Sequence, residues 1–310
     1  MKREFRIVAA VGLVVAFGLN AGSAAAASSR TFVSGQGTDT GTCSVTSPCR
    51  SFSYAITQTA AGGEIVVLTS AGYGAFTINH AISITNEEGV EAAITVASGD
   101  GITIAAGASD VVNLTGLTLT GNGGTNGITF TSGGELHLQN CVIRGFSNIG
   151  LNLSPAASTD FSASDTIVSD NGNSGVSLSQ PNNTNPTITA AFERVQATGN
   201  GADGFLVYNA SPTAAIHVTA ADSLAAHNGG AGFSTTSFIG VFTVTSSTAV
   251  NNQIGIYSNF GGTLVLAGST ISGNSEYGYQ ASGDGIIDSF GNNNITDTTN
   301  SGTLTKVGQQ

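Results

Sequence analysis

Gly273-Asn274-Ser275-Glu276-Tyr277-Gly278-Tyr279-Gln280-Ala281 is the stretch that decides the fold. An Asn closes one apolar run, a Gly follows four residues later, and the next run begins at once. Gly278 has counterparts at Gly101, Gly127, Gly150, Gly175, Gly204, Gly232 and Gly255, in steps of 26, 23, 25, 29, 28, 23 and 23 residues. A repeat of this length marks a solenoid, whose units bury their apolar faces only by stacking on one another.

The units align with Asn122, Phe146 (in place of Asn), Asn171, Asn200, Asn228, Asn252 and Asn274 at position zero. Ten and eight residues earlier stand alternating pairs such as Val112/Leu114, Leu136/Leu138, Phe242/Val244 and Leu264/Leu266, which predict a strand with one face inward. Five and three residues before zero, pairs such as Leu117/Leu119, Cys141/Ile143 and Ser269/Ile271 predict a second, smaller-sided strand. Pairs one and three residues after each anchoring Gly, such as Ile102/Ile104, Val176/Leu178 and Phe205/Val207, predict a third.

The inward parity changes between positions −8 and −5, which requires a bend. Position −6 holds Gly116, Asn140, Asp165, Arg194, Asp222 and Gly268. Gly, Asn and Asp tolerate a left-handed backbone, and Arg194 is the exception. Three strands per coil with one tight bend describe an all-β, parallel β-helix solenoid, right-handed by the bias of parallel crossovers. Eight or nine coils at roughly 4.8 Å each predict a rod of about 40 Å. Unit length varies mainly between the third strand and the next first strand, from Thr131–Glu135 to the long Ser179–Thr189 and Tyr208–His217. The long connections therefore stack on one edge, beside which a ligand groove is expected.

Both ends of the chain depart from the repeat. Residues 1–27 read as a signal peptide: Lys2, Arg3 and Arg6 precede the apolar Ile7–Leu19, and Ala25-Ala26-Ala27 offers a cleavage site. That apolar core of 13 residues is too short to span a bilayer, which takes roughly 20, and no later stretch is long enough. The expected localisation is export, to the periplasm or beyond the cell. Residues 28–63 read as an N-terminal cap with a strand at Thr31-Phe32-Val33 and a short helix at Ser51–Thr59. On that helix Phe52, Ala55, Ile56 and Thr59 share one face. The coils are expected over 64–296, and 297–310 as a polar tail.

Cys43 and Cys49 flank a five-residue turn, which in an exported chain predicts a local disulfide. No His or third Cys lies near enough for a metal site. Cys141 occupies an inward position and reads as a buried free thiol.

Removal of residues 1–27 takes three basic and one acidic residue from totals of 8 and 19, leaving five against 18 and a net charge of −13. Such a chain lacks the clustered Lys and Arg that nucleic acid requires. It is equally unsuited to long-range attraction of polyanions. Gly is abundant, at 43 of 310 residues, but the regular Ile, Val, Leu and Phe positions supply the apolar surface that disordered chains lack.

The cap segment TFVSGQGTDTGTCSVTSPCRSFSYAITQTAAGGEIVVL, the following GYGAFTINHAISI and the ending GNNNITDTTNSGTLT resemble exported bacterial β-helix repeat proteins of the pectin-lyase-like superfamily. The resemblance covers about residues 30 to 305 and implies fold and export more than activity. It also implies polysaccharides as a ligand class. The Asn-Thr-Asp, Asp-Asp, Gly-His-Gly and Arg-Ile-Lys segments of polygalacturonase-like sites are absent. Only Arg144 and Arg194 lie within the coils, at different positions, for a lyase-like base.

Asp165, Arg194 and Asp222 share position −6 on successive coils. They read either as a catalytic carboxylate pair about 10 Å apart with an Arg between, or as a surface ion-pair ladder. The Asn column (Asn171, Asn200, Asn228, Asn252, Asn274) reads as stacked amides holding the coils together. Binding candidates are Tyr277, Phe260 and Tyr208 with Asn182 and Asn183 of the longest loop, Tyr277 and Phe260 being paired as one sugar-stacking patch.

The leading expectation is a non-enzymatic exported protein that binds glycan or a surface along its groove. The alternatives are a polysaccharide lyase or glycoside hydrolase, and a purely structural or adhesive rod. No cofactor is expected, with calcium entering only under the lyase alternative. The sequence sets no oligomeric state.

Overall fold

A computed structural model describes residues 27–86, 89–180, 186–237 and 240–308. The signal-peptide expectation for residues 1–27 thus falls outside the described residues up to 26, and Asn182 and Asn183 fall outside them too.

Among the described residues, all strands belong to three parallel sheets of 12, 10 and 9 strands, in which each strand pairs with its counterpart one coil away. The three strand positions read from the repeat map one to one onto these sheets. Leu136–Leu138 pairs with Phe161–Ala163 in the first, Ile143 with Val168 in the second, and Val176–Leu178 with Phe205–Val207 in the third. This is the right-handed parallel β-helix, with about nine complete coils. The inward residues form one continuous core along the axis. Within it Phe205 and Phe233 stack at 5.0 Å, flanked by Phe192 and Phe242.

The bend at position −6 is left-handed in every coil that carries it, from Gly116 through Asn140, Asp165, Arg194 and Asp222 to Ser246 and Gly268. Arg194 conforms at φ +52° despite its side chain. A second left-handed column, not anticipated from the repeat, stands just before position zero at Gly145, Asp170, Gly199, His227, Asn251 and Gly273.

Beside these bends two ladders run parallel to the axis. The Asn228 amide donates to Asn252 Oδ1 at 2.9 Å and to the Ala197 carbonyl at 2.9 Å. Its own Oδ1 accepts from the Asn200 backbone and side-chain N–H groups, at 3.1 and 3.0 Å. The same arrangement links Asn171 to Asn200 and Asn252 to Asn274. Phe146 joins through its backbone N–H to Asn171 Oδ1, and Asp297 ends the column by accepting from Asn274. The anchoring glycines are required by this ladder. A Cβ on Gly204 would lie 2.7 Å from the Gly232 carbonyl oxygen and 2.8 Å from Asn228 Nδ2. That contact explains why the repeat couples an Asn to a Gly four residues on. The second ladder, at position −5, is made of hydroxyls. Ser223, Ser247 and Ser269 each accept a backbone N–H from the preceding coil and donate to a carbonyl two residues back.

At the N-terminal end, strand Ser28–Val33 is the outermost strand of the first sheet. Thr59–Gly63, read as part of the cap, is already strand within Thr59–Val67. The helix Phe52–Gln58 forms where expected, capped by Ser51. It buries Phe52 against Tyr73 and Phe76, each 5.0 Å away. Asp39 fixes its entry by accepting from the Arg50 and Ser51 backbones and from the Ser51 hydroxyl. The Cys43–Cys49 disulfide is formed. At the other end, Leu304–Lys306 of the expected polar tail adds a last strand on Ile286–Ser289, satisfying backbone groups that the edge would otherwise leave open. Cys141 is a buried free thiol, and burial pushes its pKa up to about 11.

Candidate functional site

At the third corner of each coil, between a third-sheet strand and the next first-sheet strand, the loops vary in length. In the strand Phe205–Asn209 the side chains alternate, so that Phe205, Val207 and Asn209 point inward while Tyr208 points out, 43% exposed. The loop after it is held by Asn209, which is buried. Its amide donates to the Ala214 carbonyl at 2.8 Å, and its Oδ1 accepts from the Ser211 N–H at 2.9 Å. Tyr208 therefore stands on a fixed base.

Tyr208 is in register with Thr236 on the next coil, and Thr236 with Asn259 on the one after. Phe260 follows Asn259 at the turn, two coils or roughly 10 Å from Tyr208. Tyr208, Asn209, Ala210, Thr236 and Phe260 line a hollow of about 200 Å³. Pockets for drug-sized ligands are roughly 300–1,000 Å³, so this hollow suits a single ring.

Phe260 is 56% exposed and has φ +52°. It is followed by Gly261 at φ +79°, so the turn has two successive left-handed residues. Such turns favour Asn, Asp and Gly at both places. A bulky residue there is an outlier with a conformational cost of about 1–2 kcal/mol. The ring remains more than half exposed. Beside it Asn259 Nδ2 donates to Tyr257 Oη at 2.8 Å, and the Ser282 hydroxyl reaches the same Oη at 3.2 Å. An exposed ring with fixed amide and hydroxyl groups at its side is chemistry suited to a sugar, which offers an apolar C–H face and a rim of hydroxyls.

Tyr277 does not join this patch. It opens the strand Tyr277–Ala281 and pairs with Ile254, the first residue of the strand that leads to Phe260. The two rings thus sit at opposite ends of third-sheet strands, roughly 15–20 Å apart. The pairing expected from their closeness in sequence fails because they belong to different corners of the coil.

At position −6, Arg194 clamps Asp165 with two hydrogen bonds, Nε to Oδ1 at 2.7 Å and Nη2 to Oδ2 at 2.9 Å, and also contacts Glu193. The Arg194 guanidinium holds the Asp165 carboxyl below its ordinary pKa, and Arg194 is itself shifted upward by the same hydrogen bonds. Arg194 does not bridge to Asp222. With its side chain 49% exposed and that of Asp165 43% exposed, the pair has the geometry of a surface clamp across a bend.

A further polar cluster lies on the outer face of the first sheet. His137 Nδ1 is 2.6 Å from Ser162 Oγ on the next coil, and His137 Nε2 is 3.0 Å from Glu135 Oε2 on its own strand. Asp160 is in register beside Glu135, and both line a shallow cleft with Ser109, Ser158, Thr159 and Thr187. Apolar residues mark the inward positions −10 and −8 in every coil, whereas the outward −11 and −9 carry no single recurring residue type. Those two put Glu135 over Asp160 and His137 over Ser162. Among the described residues no group of three or more His, Cys, Asp or Glu side chains is placed to hold a metal ion.

Against solved structures, the chain matches pectate lyase Pel9A over 88% of its length and 78% of that protein, at 15% identity and a TM-score of 0.58. It matches a rhamnogalacturonan lyase over 90% of its length and 85% of that protein, at 12% identity and the same TM-score. The fold is theirs. The pectin-lyase-like resemblance of the cap and coils is met at this level. No protein-family profile and no curated protein matches the chain.

Proposed function

We propose that the protein is an exported β-helix protein that binds glycan along its loop corner without transforming it, with Tyr208 and Phe260 as the stacking platforms. The observation that carries this reading is Phe260, a phenylalanine exposed on a turn whose backbone it disfavours, next to an apolar hollow and a fixed set of amide and hydroxyl groups. The Cys43–Cys49 disulfide supports an oxidising destination. Among the described residues no helix is long and apolar enough to cross a membrane.

One sugar face against one ring buries roughly 100 Å² of apolar surface, about 2.5 kcal/mol at 25 cal/mol per Å². A single contact of that size is weaker than millimolar, so useful retention comes from several contacts along one polymer. Affinity electrophoresis of the purified protein through gels containing long polysaccharides is the matching test. Retardation that is lost in Tyr208→Ala and Phe260→Ala supports the proposal. Retardation by no polysaccharide in a broad panel overturns it.

A lyase reading has the shared fold behind it, and one fold hosts many activities. Incubation with the same panel, with and without calcium, separates the two: release of unsaturated or reducing ends replaces the binding reading with the enzymatic one.

A further inference from the structure

We infer that the glycan taken at the loop corner is uncharged, although pectate, the substrate named for one protein of the same fold, is a polyanion. The inference rests on the glycan-binding reading above and deepens it.

Recognition of a uronate chain calls for cations aimed at successive carboxylates. Residues 28–310 hold five, Arg30, Arg50, Arg144, Arg194 and Lys306. Three have partners away from the loop corner. Arg30 pairs with Glu64 at 3.0 Å in the cap. Arg50 donates to the Gly72 carbonyl at 2.7 Å and lies over the Tyr73 ring. Arg194 is clamped by Asp165 and Glu193 at the position −6 bend. Arg144 ends a second-sheet strand, and Lys306 lies in the last strand of the first sheet. None of the five lines the hollow formed by Tyr208, Asn209, Ala210, Thr236 and Phe260.

The charges that do flank this corner are negative. Glu135 and Asp160 line the cleft on the N-terminal coils, at the start of the first-sheet strands. Asp284 is exposed on the turn one coil beyond Phe260, where the Cβ position of its neighbour Gly283 is 3.6 Å from the Phe260 backbone nitrogen. A polyuronate lying along the corner would meet carboxylates on both sides of the stacking rings and, among the described residues, no Lys or Arg between them. Like-charge contact of this kind is a strong means of excluding a ligand. A neutral polymer meets no such barrier, and the same carboxylates accept hydrogen bonds from its hydroxyls.

The test compares polymers of one backbone with and without charge. The pairs are dextran against carboxymethyl-dextran, and fully methyl-esterified polygalacturonate against the free acid. Each is run in affinity gels at low salt and at 1 M NaCl, where screening shortens the Debye length to about 3 Å. Retardation by at least one neutral member, at least tenfold stronger than by its charged twin at low salt, with the gap narrowing in high salt and the Phe260→Asn variant unretarded, is the expected result. Charged members binding as strongly as their neutral twins at low salt, with or without calcium, overturn the inference. If that binding still depends on Phe260, the glycan-binding reading survives. Retardation by no polymer removes that reading and the inference with it.

Discussion

The corner between the second and third sheets and the corner that carries the loops belong to the same coils but use their residues differently. From Asn171 to Asn274 the first repeats one solution: an amide bonded to the next coil, a left-handed residue just before it, and a glycine three or four residues on that leaves room for the neighbouring amide. At the loop corner the coils vary. Loop lengths differ, and one turn holds a Phe at φ +52° where the backbone favours Asn or Gly. Where left-handed geometry recurs, it falls mostly on Gly, Asn and Asp and serves the stack. At Phe260 it falls on a bulky side chain that is 56% exposed, and backbone strain kept at such a place points to function.

The largest effect expected from breaking this contrast is at the ladder. Asn228→Ala removes the acceptor of two Asn200 N–H groups and both bonds of its own amide in a buried site. It should destabilise by roughly 2–4 kcal/mol, seen as a Tm fall of roughly 5–15 °C. A fall within 2 °C would show that the column is not what holds the coils together.

A smaller effect concerns Asp203, whose carboxylate accepts from the Ala231 N–H and the Ser234 hydroxyl of the next coil, both at 2.7 Å. Burial raises its pKa, and those two bonds only partly offset the rise. The folded state therefore holds the proton more tightly than the unfolded one. The associated stability is fully present below the ordinary aspartate value of about 3.9, and it is lost as pH climbs through the raised folded value. Urea unfolding across that interval should show stability declining with pH in the native protein and a flatter profile in Asp203→Asn. Equal slopes would contradict the assignment.

The smallest effect is at the other bend. Arg194→Gly relieves a left-handed arginine and gives up an exposed clamp. Its stability at neutral pH should hold or rise slightly. Asp165 titrates in the opposite sense to Asp203, since its depressed pKa adds stability that is lost as pH falls, and that acid-side loss should shrink in Arg194→Gly. A marked drop in neutral-pH stability would mean the clamp matters more than its exposure implies.

The contrast also explains what could be read from the chain alone. The three strands, the position −6 bend and the cap helix follow from local periodicity and residue type, which repeat in every coil. The Asn column was legible because one side chain recurs. The hydroxyl ladder, which Thr166 joins by accepting from the Cys141 N–H and donating to the Ser164 carbonyl, was hidden because Cys141 and Val195 fill the same position in other coils. The second left-handed column escaped because Asp170, His227 and Gly199 share a backbone angle and little else. Tyr208 and Phe260 are 52 residues apart across loops of unequal length, so only the register of the stacked strands brings them to one hollow. Tyr277 and Phe260 are near in sequence, but the register sets them at opposite strand ends.

The measurement that tests the account most directly is Phe260→Asn, read for stability and glycan retention on the same preparation. Asn suits the turn and lacks the ring. The account predicts a Tm that holds or rises, by an amount equivalent to at most about 1 kcal/mol, with gel retardation by the bound polysaccharide reduced at least tenfold. A lower Tm with retardation unchanged would contradict it, and would make Phe260 a packing residue of the rod.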